Sequence, residues 1–193
     1  SETVTDAQEL PQLIERAWNV FTSQRPRPVH LAIPMDVLEQ FCARFKKAES
    51  ATHHPIPAAS EIKRAAELIN VASSSIVIAG GGCVDAGAQL AKFSETIDAP
   101  VVLTGNAKGV LSSSHPLSAG NCLVFGRIQR DIEAAELVIV VGTELSDADL
   151  YNGGKALQFG GNVVRIDIDK EQLSRRTTPT VGLVGDAGET LSA

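Results

Sequence analysis

Hydrophobic and polar residues follow two different patterns from about residue 59 onward. Short runs of consecutive apolar residues are separated by longer stretches in which apolar residues recur every three or four positions. The first pattern is typical of strands buried on both faces, and the second of the helices that cover them. The runs predict strands at 75–79, 100–104, 137–141, 163–169 and 181–185, and the helical spacing predicts helices that begin near Ser60 and Asp85 and span about 124–134. This alternation predicts an α/β fold with a doubly wound, mainly parallel sheet and helices on both faces.

The first 45 residues are predicted to form a separate piece, a helix followed by a strand. Asp6 and Glu9 have the spacing of a capping box, and apolar residues recur at helical intervals over 10–21, although Pro11 is awkward inside such a helix. A strand is predicted at 29–33, and the polar, weakly periodic stretch 46–58 is predicted to be a linker. The predicted organisation is therefore a remnant at 1–45, a linker at 46–58 and a domain at 59–193.

Charge and composition narrow the classes of function. The formal net charge is −6, and residues 131–193 carry the whole excess, with 11 acidic and 5 basic residues. An acidic chain without a basic run is a poor partner for nucleic acid or an anionic membrane surface, and no apolar stretch is long enough to span a bilayer. Three widely spaced cysteines predict reduced thiols and a cytoplasmic protein. The only methionine is Met35, so we expect a piece of a longer polypeptide.

Glycines, hydroxyls and carboxylates stand where the predicted strands end. Ligands of open parallel sheets bind beyond the carboxyl ends of the strands, where glycine lets a ligand approach the backbone. The pattern predicts a Rossmann-like nucleotide pocket without the dinucleotide fingerprint, because the third glycine position of that fingerprint falls on Asp85. The alternative is that the glycines serve tight turns and the acids cap helices. The candidate cofactor-binding residues are Gly80, Gly81, Gly82, Thr104, Gly105, Asn106, Gly142, Asp167, Asp169 and Asp186.

The sequence predicts neither a catalytic residue nor a metal site in this chain. His53 and His54 are adjacent in the polar linker, and no pair of ligands has helical spacing. His30 falls within a predicted strand, where a histidine is more often a core or interface residue, and His115 lies in a loop. Cys83 follows the glycine run, where a small buried thiol is the expected role. No set of residues sufficient for catalysis is present.

Several segments together resemble the thiamine diphosphate enzymes of the acetolactate synthase and benzoylformate decarboxylase type. In that family a phrase Gly-Pro-Val-His, then Pro-x-Asp-Val, closes the pyrimidine-binding domain, and here arginine replaces the glycine at residue 27. The match covers nearly the whole chain in the family's order. The segments that carry the resemblance are 27–37, 76–82, 103–111 with 115–117, 135–142, 165–169 and 184–187.

The resemblance implies that this chain is the central domain, with the end of the preceding domain, of an enzyme that decarboxylates or ligates 2-oxo acids. It implies that thiamine diphosphate and Mg²⁺ are bound by the missing pyrimidine- and diphosphate-binding domains, that the parent is a homo-oligomer, and that this piece alone is inactive. The central domain binds FAD in some members, ADP in others, and is only structural in the rest. FAD-binding members have an arginine shortly after the glycine that matches Gly142, where this chain has Thr143 and Glu144. A stand-alone nucleotide-binding module of related fold is the alternative.

Overall fold

The computed structural model describes residues 1–22, 25–42, 55–150 and 157–193. The chain divides into two compact units, 1–54 and 55–193. The predicted linker lies mostly outside the described residues, as do His53 and His54. Within the described ranges, no helix is both long and apolar enough to cross a membrane.

Over residues 1–22 and 25–42, the first unit contains two short parallel strands and two α-helices. Its elements are β1 (Glu2–Thr3), a 3₁₀ turn (Ala7–Glu9), α1 (Leu10–Thr22), β2 (Leu31–Ala32) and α2 (Met35–Leu38), and β1 pairs with β2. The prediction that Asp6 opens the helix through a capping box is wrong in detail. Its side chain accepts from the Gln8 N–H and caps the 3₁₀ turn, and the α-helix begins only at Leu10. Pro11 therefore lies in the first turn, where a missing N–H is tolerated.

The second unit is a six-stranded parallel sheet with helices on both faces, which confirms the predicted fold class. Its elements are α3 (Ala59–Val71), β3 (Ser75–Ala79), α4 (Gly87–Thr96), β4 (Val101–Leu103), β5 (Ser118–Gly120), α5 (Gly126–Ala134), β6 (Leu137–Val141), β7 (Asn162–Asp167), β8 (Val181–Val184) and α6 (Ala187–Ser192). The strand order is β5-β4-β3-β6-β7-β8, and every pair is parallel. The order reverses between β3 and β6, where a doubly wound sheet has its switch point.

Alternate residues of the central strands enter two separate cores. Val77, Ile139 and Val164 pack on the face that α3, α4 and α6 cover, whereas Ile78 and Val140 pack on the face covered by α5. Burial of both faces explains why the strands are apolar without alternation.

Three local predictions differ from the structure. The edge strand β5 was not predicted, because its sequence Ser-Ala-Gly has no apolar run and its pairing with β4 defines it. Helix α3 begins at Ala59 with Ala58 at the N-cap, so Ser60 lies inside the helix and does not cap it. Helix α4 begins at Gly87 rather than at Asp85, because a 3₁₀ turn over Gly81–Cys83 comes first.

Candidate functional site

The ten candidate residues all lie at or just beyond the carboxyl ends of five parallel strands. Gly80–Gly82 follow β3, Thr104–Asn106 follow β4, Gly142 follows β6, Asp167 ends β7 with Asp169 two residues on, and Asp186 follows β8. The structure brings the turns after β3, β4 and β6 into contact. Whether these residues hold a ligand stays a prediction.

The turns after β3 and β6 pack backbone against backbone at the switch point. A Cβ on Gly82 would lie 2.9 Å from the Cα of Gly142, and a Cβ on Gly142 would lie 2.8 Å from the Cα of Gly82. Gly142 also has φ +59°, a conformation that L side chains rarely adopt. The Gly82 N–H donates to the Gly142 carbonyl at 2.9 Å, and the Gly80 N–H donates to the Val141 carbonyl at 2.8 Å. Here the glycines serve the close approach of two turns.

The turn after β4 meets a carboxylate from the loop that follows β6. The Gly105 N–H donates to Asp149 Oδ1 at 3.4 Å, and the Ser146 hydroxyl donates to Asp149 Oδ2 at 2.8 Å. A Cβ on Gly81 would lie 3.2 Å from the Cβ of Asn106, so the turns after β3 and β4 are also in contact. Asn106 is exposed and Thr104 is buried.

The three candidate aspartates make local backbone contacts. Buried Asp167 accepts from the Asp169 N–H at 3.0 Å through Oδ1. Asp169 caps the 3₁₀ turn Lys170–Gln172 by accepting from the Glu171 N–H, and Asp186 caps α6 by accepting from the Glu189 N–H. The contacts of Asp169 and Asp186 are the helix caps that the sequence offered as the alternative to ligand binding.

Arg165, a fully buried residue of β7, was not among the predicted site residues. Its guanidinium donates to the Thr143 carbonyl at 2.9 Å and to the carbonyls of Leu173 and Arg175. It therefore ties the loop after β6 to the segment after β7, since one planar group with five donors can serve several carbonyls at once. The available signal was a charged residue inside the apolar run 163–168, because such a residue needs buried partners.

The loop after β6 is built from local polar contacts and one strained residue. Leu145 is buried with φ +51°, and its N–H donates to the Thr143 hydroxyl at 3.0 Å. Ser146 and Asp149 cap one another, because the Ser146 N–H donates to the carboxylate and the Asp149 N–H donates to the Ser146 hydroxyl. Asp147 forms an ion pair with Arg176 at 2.6 Å.

The described cysteine and histidine side chains have structural contacts. Cys83 is buried, and burial raises the pKa of its thiol to about 12, so it is a poor nucleophile. His115 lies in the crossover between β4 and β5, where its Nδ1 accepts from the Leu117 N–H at 3.2 Å and its Nε2 lies 3.0 Å from Glu95 Oε1. His30 is exposed, beside the Ser1 hydroxyl, so it is not a core residue, and an interface role stays a prediction. The described residues contain no group of three His, Cys, Asp or Glu side chains that could hold a metal ion.

Comparison with known proteins points to one family. The model for the central domain of thiamine pyrophosphate enzymes matches residues 62–193. A probable 2-ketoarginine decarboxylase of Pseudomonas aeruginosa is 39% identical over 188 residues, which are 96% of this chain and 33% of that protein. The large subunit of acetolactate synthase isozyme 1 of Escherichia coli (strain K12) is 32% identical over 195 residues, 98% of this chain and 34% of that subunit.

Solved structures agree in fold. An enzyme from Mycobacterium smegmatis, described as thiamin diphosphate-dependent, superposes with a TM-score of 0.79 at 27% identity and covers 98% of this chain and 37% of that one. The chain spans about a third of the length of the curated relatives it matches.

Proposed function

This chain belongs to the thiamine diphosphate (thiamine pyrophosphate) enzyme family and carries its central domain, and we propose that the complete protein cleaves or forms the bond next to the keto carbon of a 2-oxo acid. The observation that carries the proposal is the 39% identity to a 2-ketoarginine decarboxylase over 96% of this chain. That relative's name specifies decarboxylation of a 2-oxo acid, and the name acetolactate synthase specifies a synthesis. The proposed class is therefore decarboxylase or carboligase.

The central domain supplies structure to this reaction and not its reacting groups. We propose that thiamine diphosphate and Mg²⁺ are held by other parts of the polypeptide; the residues that the structure describes here contain no group of three His, Cys, Asp or Glu side chains that could hold a metal ion. What the second unit does offer is a rigid sheet with two cores and loops tied together at the carboxyl ends of the strands. We propose that this domain alone is inactive and that the complete enzyme is a homo-oligomer.

The test is product analysis with the full-length natural protein. The protein is incubated with thiamine diphosphate, Mg²⁺ and one 2-oxo acid at a time, from pyruvate to acids with basic side chains, and CO₂ and the organic product are both measured. An aldehyde with one CO₂ per substrate supports decarboxylation, and a hydroxy-ketone product supports ligation. Loss of the substrates without either product, or no turnover of any of them, would refute the proposed class.

The role of the central domain itself is tested with the present 193 residues. We expect them to show no turnover under conditions in which the full-length protein is active. Measurable decarboxylation by these residues alone would show that the reacting groups lie here.

A further inference from the structure

The sequence left FAD, ADP or no ligand open for the pocket at the switch point. We infer that the chain itself closes this pocket to the diphosphate of either ligand, and that the Asp149 carboxylate stands where a ligand's negative charge would have to approach the turn after β4. This inference concerns the central domain alone and does not rest on the reaction of the complete enzyme.

Three backbone donors at the switch point are already used within the chain. A bound diphosphate is usually held by N–H groups of glycine-rich turns and helix starts. Here the N–H groups of Gly80, Gly82 and Gly142 donate to the carbonyls of Val141, Gly142 and Ile166, at 2.8, 2.9 and 2.9 Å. Because those carbonyls belong to the sheet and its turns, a phosphate could recruit these donors only by breaking the packing of the turns.

The space between the turns after β3 and β6 is also filled. The Cα atoms of Gly82 and Gly142 approach so closely that neither position leaves room for even a methyl group. On the other side, Gly81 packs toward Asn106. A ligand that approaches the backbone here would have to separate turns that now touch.

The Asp149 carboxylate is held in place at both oxygens. Oδ1 accepts from the Gly105 N–H at 3.4 Å, and Oδ2 accepts from the backbone N–H and the hydroxyl of Ser146, at 3.3 and 2.8 Å. The residue is partly buried, so its charge is less screened than that of an exposed side chain. The carboxylate faces the turn after β4 as a bound anion would.

The first part of this loop adds negative charge beside Asp149. Residues 143–149 contain three acids, Glu144, Asp147 and Asp149, and no basic residue. Asp147 is paired with Arg176, whereas Asp149 makes its hydrogen bonds to uncharged donors. A diphosphate near Gly105 would therefore meet repulsion as well as occupied donors.

The first measurement uses the wild-type protein. One sample is denatured, and its extract is analysed for flavin and adenine nucleotides. A second sample, refolded or freshly purified, is titrated with FAD and with ADP by equilibrium dialysis. We expect no stoichiometric ligand in the extract and no saturable binding up to about 1 mM, the range of the weakest specific complexes. One FAD or one ADP per chain, in either measurement, would overturn the inference.

The second measurement isolates the charge of Asp149 with a matched control. Asp149→Asn keeps the size of the side chain and an acceptor for the Gly105 N–H, while Asp147→Asn removes one charge from the same loop away from that turn. We expect Asp147→Asn to behave like the wild type, with no saturable ADP binding up to about 1 mM, and Asp149→Asn to show saturable ADP binding within that range, because it frees the Gly105 turn of a negative charge and charges a few ångströms apart near a protein surface interact strongly. Equal binding by the two variants would overturn the role of Asp149, and if Asp149→Asn does not fold, the wild-type measurement still decides the closure.

Discussion

Backbone packing between Gly82 and Gly142 is the feature of the switch point that stability measurements can test most sharply. Gly142→Ala combines two penalties, because the new Cβ would lie 2.8 Å from the Cα of Gly82 and the residue has φ +59°. The same domain contains glycines that separate these penalties. Gly82→Ala meets only the close contact, at 2.9 Å, and Gly109→Ala meets only the positive φ, +92°, since nothing lies within 4 Å of its Cβ.

The expected losses in unfolding free energy form a series. A non-glycine residue in the left-handed region costs about 1–2 kcal/mol, which is the expected loss for Gly109→Ala. Overpacking a filled site costs about 1–3 kcal/mol, which is the expected loss for Gly82→Ala. Gly142→Ala carries both, so we expect roughly 2–5 kcal/mol. Gly105→Ala is the control, because its Cβ meets nothing within 4 Å and its φ is not positive, and we expect a change within about 0.5 kcal/mol.

The assay is urea unfolding of the four variants and the wild type, followed by circular dichroism, with the midpoint and slope fitted for each. Gly105→Ala should be the least destabilised variant and Gly142→Ala the most. Gly109→Ala and Gly82→Ala should lie between them. If Gly142→Ala loses no more than Gly109→Ala, the two turns are not in backbone contact and the description of the switch point is wrong.

Three further predictions concern single side chains of the second unit. Arg165→Met should lose about 3–5 kcal/mol of unfolding free energy in urea, because three carbonyls lose a buried donor. The control Arg176→Met breaks an exposed ion pair and should lose under about 1 kcal/mol. Equal losses by the two variants would refute the role of Arg165. Burial raises the pKa of the Cys83 thiol to about 12, from 9.0 ordinarily, so the contribution of this thiol to stability is complete below pH 9 and is lost as pH rises toward 12. Over that range the unfolding free energy of Cys83→Ala should fall less steeply than that of the wild type, by up to about 1.4 kcal/mol per pH unit. Parallel plots of unfolding free energy against pH would contradict this. His115→Asn keeps an acceptor near the position of Nδ1, which accepts from the Leu117 N–H, so it should protect that amide from hydrogen exchange better than His115→Gln. The reverse order would show that the contact of His115 with Glu95 matters more.

The fold could be predicted from the sequence because burial on both faces leaves a local signature. The strands 75–79 and 137–141 match the observed β3 and β6 residue for residue, since β6 is apolar at every position and β3 at every position after the half-buried Ser75. β5 left no such signature, because three small residues become a strand only through pairing with β4. Strand order depends on contacts between residues that are distant in the sequence, so no single segment predicts it. The same holds for the place of the switch point.

The candidate site was predictable in position but not in detail. Glycines after apolar runs located the carboxyl ends of the strands, yet whether a glycine admits a ligand or a neighbouring turn depends on what faces it. Gly82 faces Gly142, sixty residues away, and the sequence carries no sign of that contact. The role of Asp149 could be predicted only in part. Ser146 and Asp149 have the spacing of a cap, which a sequence shows, whereas the contact of Asp149 with Gly105 arises only in the folded domain.

The thiamine diphosphate dependence of the full-length natural protein tests the proposed family chemistry most directly. The protein is freed of cofactor by dialysis against a chelator, and consumption of a 2-oxo acid is followed before and after thiamine diphosphate and Mg²⁺ are restored together. We expect the stripped protein to consume no 2-oxo acid and to regain consumption when thiamine diphosphate and Mg²⁺ are restored. Turnover that is unchanged by removing and restoring them, or no turnover of any 2-oxo acid after restoration, would contradict this expectation.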